Sequence, residues 1–286
     1  MRLDRFLTLY IFGPLARLRK PRGLRIPILM YHSISDDPES GHPYYWINTS
    51  PALFADHMRY LADHGYEVIP LSTAVAMIRG FSLNTKHQTL NTVVLTFDDG
   101  YADFFSAAFP VLQRHGFTAT VFLPTDYIDG TKPGLRGKQH LTWDQVRELQ
   151  EQGITFGSHT CSHPQLSDLP PGDAERELLV SRRVFDGQRV ACASTFCYPF
   201  RFPEQNTGFV ERFNETLQRV EYEACASTRI GTINAADDIF ALKRIPVNSG
   251  DDLPLFSAKL SGGYDWLSTL QILAKKLVVE ERQRPR

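Results

Sequence analysis

Two adjacent carboxylates, Asp98 and Asp99, are the residues whose types and spacing first suggest chemistry. They follow the apolar, β-branched run Thr92–Phe97 and precede Gly100. One interpretation is a simple turn, in which an aspartate bonds the backbone and the glycine supplies a positive φ angle. Neighbouring carboxylates repel each other, however, and a bound cation would remove the repulsion while leaving each a distinct role. The pair is therefore consistent with a turn and with a metal centre that needs a base.

Three histidines complete a candidate metal centre. His159 and His163 follow the short apolar run Ile154–Gly157, and His32 follows the run Ile26–Tyr31. A spacing of four residues places two rings on one side if the segment forms a helical turn. Two histidines and one carboxylate form a three-ligand set that leaves positions for water and substrate. Each histidine taken alone would more often be structural, but the combination favours a metal site.

Strands and helices alternate along the chain and determine where these residues lie. Short apolar runs predict strands at 26–31, 66–69, 92–97, 118–123, 154–157, 194–197, 223–227 and 242–247. Helices are predicted after Ser50, at 103–115, from the capping box at Thr142 to Gly153, at 171–188 and at 265–280. This alternation implies a parallel sheet, and about seven or eight units imply a (β/α) barrel. The carboxyl ends of barrel strands share one face, so the two aspartates and three histidines are expected to meet there.

Composition narrows the class of protein. The chain has 286 residues and a formal net charge of −1, so no overall basic field favours binding to nucleic acid. Its four cysteines show no CxxC pair, which argues against a disulfide framework and a zinc ribbon. We expect one barrel domain over residues 26–286, without a separate linker. The long irregular loops at 34–50 and 124–141 are expected to be functional.

The amino-terminal segment, residues 1–25, is basic and amphipathic. It carries seven basic residues against the single acid Asp4, and the apolar run Phe6–Phe12 is too short to span a bilayer. Leu3, Phe6 and Tyr10 share one helical face. The segment is either a helix lying on a membrane surface or a helix covering one end of the domain. Without a clear signal peptide or transmembrane helix, the protein is expected in the cytoplasm or at the membrane periphery.

The two clusters also resemble the motifs of a known family. The run TFDDG at 96–100 resembles the first motif of the polysaccharide deacetylases, the NodB-homology or carbohydrate esterase family 4 group, and HTCSH at 159–163 resembles their second. The resemblance extends over about residues 91–250. It implies a distorted (β/α) barrel of about seven parallel strands. It also implies that Asp98 is the catalytic base and that Asp99, His159 and His163 bind a metal, with zinc as the default and iron, cobalt or nickel as alternatives.

Other segments depart from the family pattern. The run FCYPF at 196–200 resembles the third motif, but Cys197 stands where many members have an arginine that orients the base. Phe200 falls where an aromatic residue offers its backbone N–H to the oxyanion. The fifth motif would end in a catalytic histidine, yet no histidine follows residue 163. The run MYHS at 30–33 resembles a branch, including poly-N-acetylglucosamine deacetylases, with an early acid histidine, which implies His32 as the acid.

The resemblance implies hydrolysis of the acetamide C–N bond of N-acetylated poly- or oligosaccharides. Two alternatives stay open at this point. One is a metal hydrolase of the same fold that acts on another linear amide or on a lipid-linked sugar. The other is a catalytically idle sugar-binding homologue, which the absent third-motif arginine and the displaced acid would favour.

Overall fold

A closed ring of parallel strands forms the centre of the protein. The computed structural model describes residues 2–18, 23–80 and 91–271. The strands within these residues are β1 (Ile28–Tyr31), β2 (Ser33–Ile34), β3 (Asn48–Thr49), β4 (Glu67–Val68), β5 (Thr92–Phe97), β6 (Thr120–Leu123), β7 (Thr155–Ser158), β8 (Cys192–Cys197), β9 (Ala224–Ile230) and β10 (Leu242–Pro246). Seven of them close in the order β1-β10-β9-β8-β7-β6-β5, with β5 paired back to β1. All pairings in the ring are parallel, which confirms the predicted barrel.

The other three strands lie outside the ring, and the helices surround it. β4 pairs with the first two residues of β5, and β2 pairs with β3. The α-helices are α1 (Leu3–Leu7), α2 (Gly13–Leu18), α3 (Pro51–Asp63), α4 (Leu71–Ile78), α5 (Phe109–His115), α6 (Trp143–Glu151), α7 (Pro171–Gly187), α8 (Thr207–Arg219) and α9 (Leu253–Leu260). π-Helical turns at Thr8–Phe12 and Phe104–Ala108 precede α2 and α5.

Alternation along the strands separates two cores and leads to the site. Val93, Leu95 and Phe97 of β5 pack outward in one cluster with α3. Val94 faces the barrel interior, where it joins Ile28, Phe122, Ala226 and Leu242. Successive side chains of a strand point to opposite faces. The interior row of β5 therefore continues through residue 96 to residue 98, which lies just beyond the strand at the carboxyl mouth of the barrel.

Most predicted elements are present, with shifted ends. Ser50 Oγ accepts a hydrogen bond from the N–H of Leu53 at the start of α3, and the capping box of Thr142 and Gln145 opens α6. The sequence patterns missed α4, α8 and α9. Residues 266–271 are helical as predicted, and the rest of the helix predicted at 265–280 lies outside the described residues.

The amino-terminal helix, residues 3–18, comprises α1, a π-helical turn and α2, and it packs against the barrel. Thr8 and Gly13 are buried, and the ring of Phe12 stacks on that of Trp266 with centroids 4.8 Å apart. No helix in the described part of the chain has the length and apolarity needed to cross a bilayer. The boundary at residue 25 between this segment and the barrel domain stays a prediction.

Candidate active site

Asp98 lies at the barrel mouth in a bidentate pair with Arg244 of β10. Its backbone N–H donates to the carbonyl of Tyr31 at 3.0 Å, which continues the β1–β5 pairing past the end of β5. Its Oδ1 and Oδ2 accept hydrogen bonds from Nη1 and Nη2 of Arg244 at 2.6 and 2.8 Å. Both side chains are buried, and Arg244 Nε donates to the carbonyl of Ser227 at 2.9 Å. Two parallel charged hydrogen bonds fix the orientation of the carboxylate.

The pair stays ionised despite its burial. Burial alone would raise the pKa of Asp98, because a carboxylate loses its hydration. The charge and hydrogen bonds of Arg244 outweigh this effect, so the pKa of Asp98 lies below its ordinary value. For Arg244, burial would lower the pKa, but the charge of Asp98 outweighs burial and raises it. Asp98 is therefore a carboxylate at neutral pH.

Cys197 contacts both members of this pair. Its Sγ lies 3.1 Å from Nη2 of Arg244 and 3.6 Å from each carboxylate oxygen of Asp98. Burial raises the pKa of the Cys197 thiol well above its ordinary value, so the sulfur carries no charge. A guanidinium thus does reach Asp98, but it comes from β10 rather than from the position of Cys197 on β8.

Asp99, His159 and His163 form a second cluster beside Asp98. Oδ1 of Asp99 lies 3.2 Å from Nε2 of His163 and 3.5 Å from Nε2 of His159. Nδ1 of His159 lies 2.8 Å from the carbonyl oxygen of Cys197, which can only accept, so Nδ1 carries the proton and Nε2 is left with its lone pair. Burial lowers the pKa of His159 to about 4 and keeps the ring neutral.

The donor set of this second cluster fits a metal ion. One ligand atom from each residue lies within 4.8 Å of the other two. Atoms bound to one tetrahedral zinc ion at about 2.0–2.1 Å lie roughly 3.3 Å from each other, close to the two distances above. Asp98, His159 and Cys197 meet the same distance limit. That second set suits a metal less well, because Arg244 binds both oxygens of Asp98 and the thiol is neutral.

A loop, and not a helical turn, brings the two histidine rings together. Residues 159–163 follow β7 as irregular chain, with positive φ angles of 70° at Thr160 and 57° at His163. The spacing of four residues therefore does not correspond to a helical turn here, because left-handed residues interrupt a right-handed helix. The ring centroids of His159 and His163 are 4.9 Å apart.

Glu177 of α7 holds this loop from behind. Its Oε2 accepts hydrogen bonds from the backbone N–H groups of Cys161 and Ser162 at 2.8 and 2.9 Å. Its Oε1 accepts one from Oγ of Ser162 at 2.7 Å. Within the loop, the N–H of His163 donates to Oγ1 of Thr160 at 2.9 Å. The position of the second histidine thus depends on a carboxylate that contacts neither ring.

The Asp-Asp-Gly segment is a turn as well as part of the cluster. Asp99 and Gly100 have positive φ angles of 69° and 59°. A Cβ atom on Gly100 would lie 2.5 Å from Cδ2 of Leu123, so a larger residue would require Leu123 to move in addition to adopting a positive φ angle. The carbonyl of Asp99 lies 2.8 Å from Nδ1 of His140, whose Nε2 accepts from the N–H of Leu135 at 3.0 Å. His140 therefore donates to the Asp99 carbonyl and supports the turn.

His32 and Phe200 both lie at the mouth of the barrel. Nε2 of His32 is 3.9 Å from Oδ2 of Asp98, and the side chain is 21% exposed. The ring of Phe200 packs on that of His163 with centroids 4.5 Å apart, and its φ angle is 56°. A mostly apolar cavity of about 550 Å³ adjoins Phe200, and its lining includes Met30, Tyr45, Pro246, Leu267 and Leu270.

Sequence reasoning missed three residues that support this site. They are Arg244, Glu177 and His140. Arg244 did carry a signal, because a charged residue on an interior position of a barrel strand needs a buried partner. No comparable pattern pointed to the other two, since their contacts join residues distant in sequence.

Comparison with known proteins identifies the family of this chain. The family model described as polysaccharide deacetylase matches residues 85–218. The YxkH protein of Bacillus subtilis, whose name assigns it to the polysaccharide deacetylases, is 31% identical over 247 residues, covering 85% of this chain and 78% of that protein. The poly-β-1,6-N-acetyl-D-glucosamine N-deacetylase of Escherichia coli is 26% identical over 141 residues, which are 46% of this chain but only 20% of that enzyme.

A solved structure shows the same fold. The Streptococcus pyogenes deacetylase PplD, in complex with acetate, superposes with a TM-score of 0.69 over 83% of this chain and 99% of its own, at 24% identity. The barrel, the match to the family model and the Bacillus relative all point to the same family. The chain belongs to the polysaccharide deacetylase family, whose members are hydrolases of carbon–nitrogen bonds other than peptide bonds.

Proposed function

We propose that this protein removes acetyl groups from N-acetylated poly- or oligosaccharides with the help of one divalent metal ion. The bidentate pair of Asp98 and Arg244 beside the Asp99–His159–His163 cluster is the observation that carries the proposal. A base held ionised next to a three-ligand set is the arrangement that hydrolysis of an unactivated amide requires. The Escherichia coli relative, named for poly-β-1,6-N-acetyl-D-glucosamine, supports a glycan substrate.

Asp99, His159 and His163 would hold the metal, with zinc as the default and cobalt, nickel or iron as alternatives. Bound there, the ion would supply Lewis acidity toward the acetamide carbonyl and toward a water molecule at neutral pH. The neutral ring of His159, fixed through Nδ1 on the Cys197 carbonyl, offers Nε2 for this purpose. Glu177 and Thr160 keep His163 within reach.

Asp98 is proposed as the general base. Its ionised carboxylate takes a proton from the attacking water, while Arg244 keeps its oxygens oriented. The guanidinium from β10 also weakens the idle-homologue alternative, because the base has the partner that Cys197 cannot provide. The backbone N–H of Phe200 is proposed to donate to the developing oxyanion.

His32 is proposed as the general acid. The anion of an amine is a very poor leaving group, so the departing nitrogen needs a proton from the protein. Nε2 of His32 lies 3.9 Å from Asp98, on the same face as the proposed base, and the side chain is partly open to the mouth. The cavity beside Phe200 gives the remainder of a glycan a place to lie.

Acetate release and metal content together test this proposal. The purified protein is assayed on oligomers of β-1,6-linked N-acetylglucosamine, on chitooligosaccharides and on a linear amide without sugar. We expect acetate from at least one glycan, loss of activity with a chelator and its return with zinc or cobalt. The Asp98→Asn variant, with its metal retained, is the control. Glycan binding without acetate release would instead establish an idle sugar-binding protein, and hydrolysis of the sugar-free amide alone would place the substrate elsewhere.

A further inference from the structure

The amino-terminal helix turns its polar side chains toward the barrel. Nη1 of Arg2, just before the helix, donates to the carbonyl of Gly250 at 2.9 Å. The carboxylate of Asp4 accepts from the hydroxyl of Tyr264 at 2.9 Å, and Oγ1 of Thr8 accepts from Nε1 of Trp266 at 3.1 Å. The helix is therefore held to the barrel by polar side chains as well as by the stacking of Phe12 on Trp266, whereas an ordinary surface helix turns its polar side to solvent.

The opposite side of the same helix is apolar and faces outward. Six of its large apolar side chains are 38–81% exposed: Leu3, Phe6, Tyr10, Ile11, Leu15 and Leu18. Apart from the neighbours Tyr10 and Ile11, they recur every three or four residues and so form one stripe. Among the residues 3–18 whose side chains are described, every exposed position is apolar. A contiguous apolar surface of this kind marks an interaction site.

The shape and size of the stripe favour a lipid surface over a second copy of the chain. A helix of 16 residues is about 24 Å long, and six partly exposed side chains offer roughly 500 Å². Each partner in a stable protein complex contributes about 800 Å². A bilayer surface needs no such area, because an apolar stripe inserts about 5–10 Å into the boundary between headgroups and acyl chains.

The charge of the segment points the same way. The two basic residues near the start of the helix are paired, Arg2 with Asp4 and Arg5 with Asp252. The excess positive charge therefore lies toward the end of the segment, where the sequence of residues 17–25 contains five basic residues and no acidic one. Basic residues that follow an apolar helix in the sequence are attracted to anionic lipid headgroups.

We propose that the outward stripe of the amino-terminal helix docks this protein on the surface of an anionic lipid bilayer. The helix stays packed on the barrel in this arrangement, since the docking face and the packed face are different. Its first turn lies beside the barrel mouth, because Arg2 contacts Gly250, a short distance after β10. Docking thus brings the mouth of the barrel close to the lipid surface.

Vesicle binding by the full chain tests the proposal. The wild type is compared with the variant Leu3→Gln/Tyr10→Gln/Leu15→Gln/Leu18→Gln, which leaves the net charge unchanged. Vesicles of phosphatidylcholine mixed with phosphatidylglycerol should bind the wild type more tightly than phosphatidylcholine alone, and salt should weaken the binding. The variant should lose roughly tenfold or more in partitioning, because four apolar side chains no longer insert.

A matched pair of single substitutions separates the stripe from general surface apolarity. Leu15 is 49% exposed on the helix and Leu253 is 37% exposed at the start of α9. Leu15→Gln should weaken vesicle binding, whereas Leu253→Gln should bind as the wild type does. The melting temperatures of all variants should stay close to the wild-type value, because the exchanged side chains lie at the surface.

Two outcomes would overturn the proposal. One is equal vesicle binding by the wild type and the quadruple variant, or no binding by either. The other is a wild-type dimer in light scattering that the quadruple variant loses, with no binding to vesicles. In that case a second copy of the chain covers the stripe.

Discussion

The guanidinium of Arg244 makes two parallel hydrogen bonds to the carboxylate of Asp98, although the residues are 146 positions apart in the chain. β10 lies two places from β5 in the ring, with β1 between them. The pair therefore depends on closure of the barrel. It supplies from β10 the cation that Cys197, on β8, cannot supply.

Replacing Arg244 by lysine should keep the charge but lose the bidentate geometry. We expect turnover to fall roughly 10-fold to 100-fold, because a misoriented base is a poorer base. Since Arg244 holds the pKa of Asp98 below its ordinary value, the variant carboxylate should gain a proton at higher pH. The acidic limb of the pH–rate profile for kcat/KM should thus shift to higher pH, while the metal content stays unchanged.

A compensating variant makes this prediction sharper. In Arg244→Leu the charge of Asp98 is left buried without its partner, and both stability and activity should suffer. Adding Cys197→Arg returns a guanidinium from β8, whose side chain already lies 3.6 Å from Asp98. Part of the turnover should then return. An Arg244→Lys variant with the wild-type rate and pH profile would show that orientation of Asp98 does not depend on Arg244.

The two adjacent aspartates should differ in what their loss removes. Asp98→Asn should retain metal and lose turnover by roughly 10²–10⁴ for want of the general base. Asp99→Asn should lose metal affinity, because a three-ligand site keeps only two good donors. Metal content and rate measured on the same samples decide the matter, and the opposite pattern would mean that the two roles are reversed.

His32→Ala should slow the amide far more than an activated ester. We expect turnover on N-acetyl sugars to fall by roughly 10²–10⁴, because the amine leaves only with a proton. An aryl acetate should be much less affected, because its phenolate leaves unaided. The ratio of the two losses is the measurement, and equal losses on both substrates would assign His32 a purely structural role.

Glu177→Ala should weaken metal binding, although Glu177 is not itself a proposed metal ligand. Oε2 of Glu177 accepts hydrogen bonds from two backbone N–H groups that lie between the two histidines. Without these hydrogen bonds, the loop should lose its fixed position. A loss of roughly 10-fold to 100-fold in metal affinity is expected, as for other residues that orient ligands. Glu175→Ala is the matched control on α7, since Glu175 pairs with Arg219 at the surface. Equal metal affinity in both variants would exclude the role.

The buried His57 should make the fold less stable in mild acid. Its Nδ1 lies 3.1 Å from the Tyr31 hydroxyl, and its Nε2 lies 2.8 Å from the Asp251 carbonyl oxygen. Burial lowers the pKa of His57 to about 4. In the unfolded chain, His57 takes up a proton at about pH 6.5. Above that pH the ring is neutral in both states, and His57 does not lower the free energy of unfolding. This free energy should decline between pH 6.5 and 4, by up to about 1.4 kcal/mol per pH unit.

Denaturant unfolding of the wild type and His57→Gln at several pH values checks this sign. Both proteins contain His159, whose lowered pKa acts in the same direction, so the difference between their slopes isolates His57. The variant should have the shallower dependence. Parallel curves for the two proteins would contradict the assignment.

The sequence by itself determined the ring of strands and the residues at its mouth. Apolar runs ending in Asp98, His159 and His32 are local patterns, and barrel geometry places all such ends on one face. The ring of seven strands and the approach of His32 to within 3.9 Å of Asp98 agree with this reasoning. The caps of α3 and α6 could also be predicted from the sequence, because a cap involves neighbours only three residues apart.

Only the tertiary structure decided what supports the site. Arg244, Glu177 and His140 act through contacts with residues far away in the chain, and no local spacing encodes such contacts. The spacing of His159 and His163 would bring the rings together in a helical turn, but in the structure a loop brings them together. Hydrogen bonds that Glu177 of α7 accepts stabilise a loop with left-handed residues that the local sequence does not specify.

The amino-terminal helix shows the same division in another form. Its periodicity predicted an amphipathic helix, but periodicity cannot say which face meets the protein. Tyr264 and Trp266 offer hydrogen bonds to Asp4 and Thr8, and Gly263 lets the helix approach closely, since a Cβ there would lie 2.8 Å from Cα of Gly13. Those partners bind the polar face, because a buried polar group must find a hydrogen bond, and the apolar face is therefore left outside.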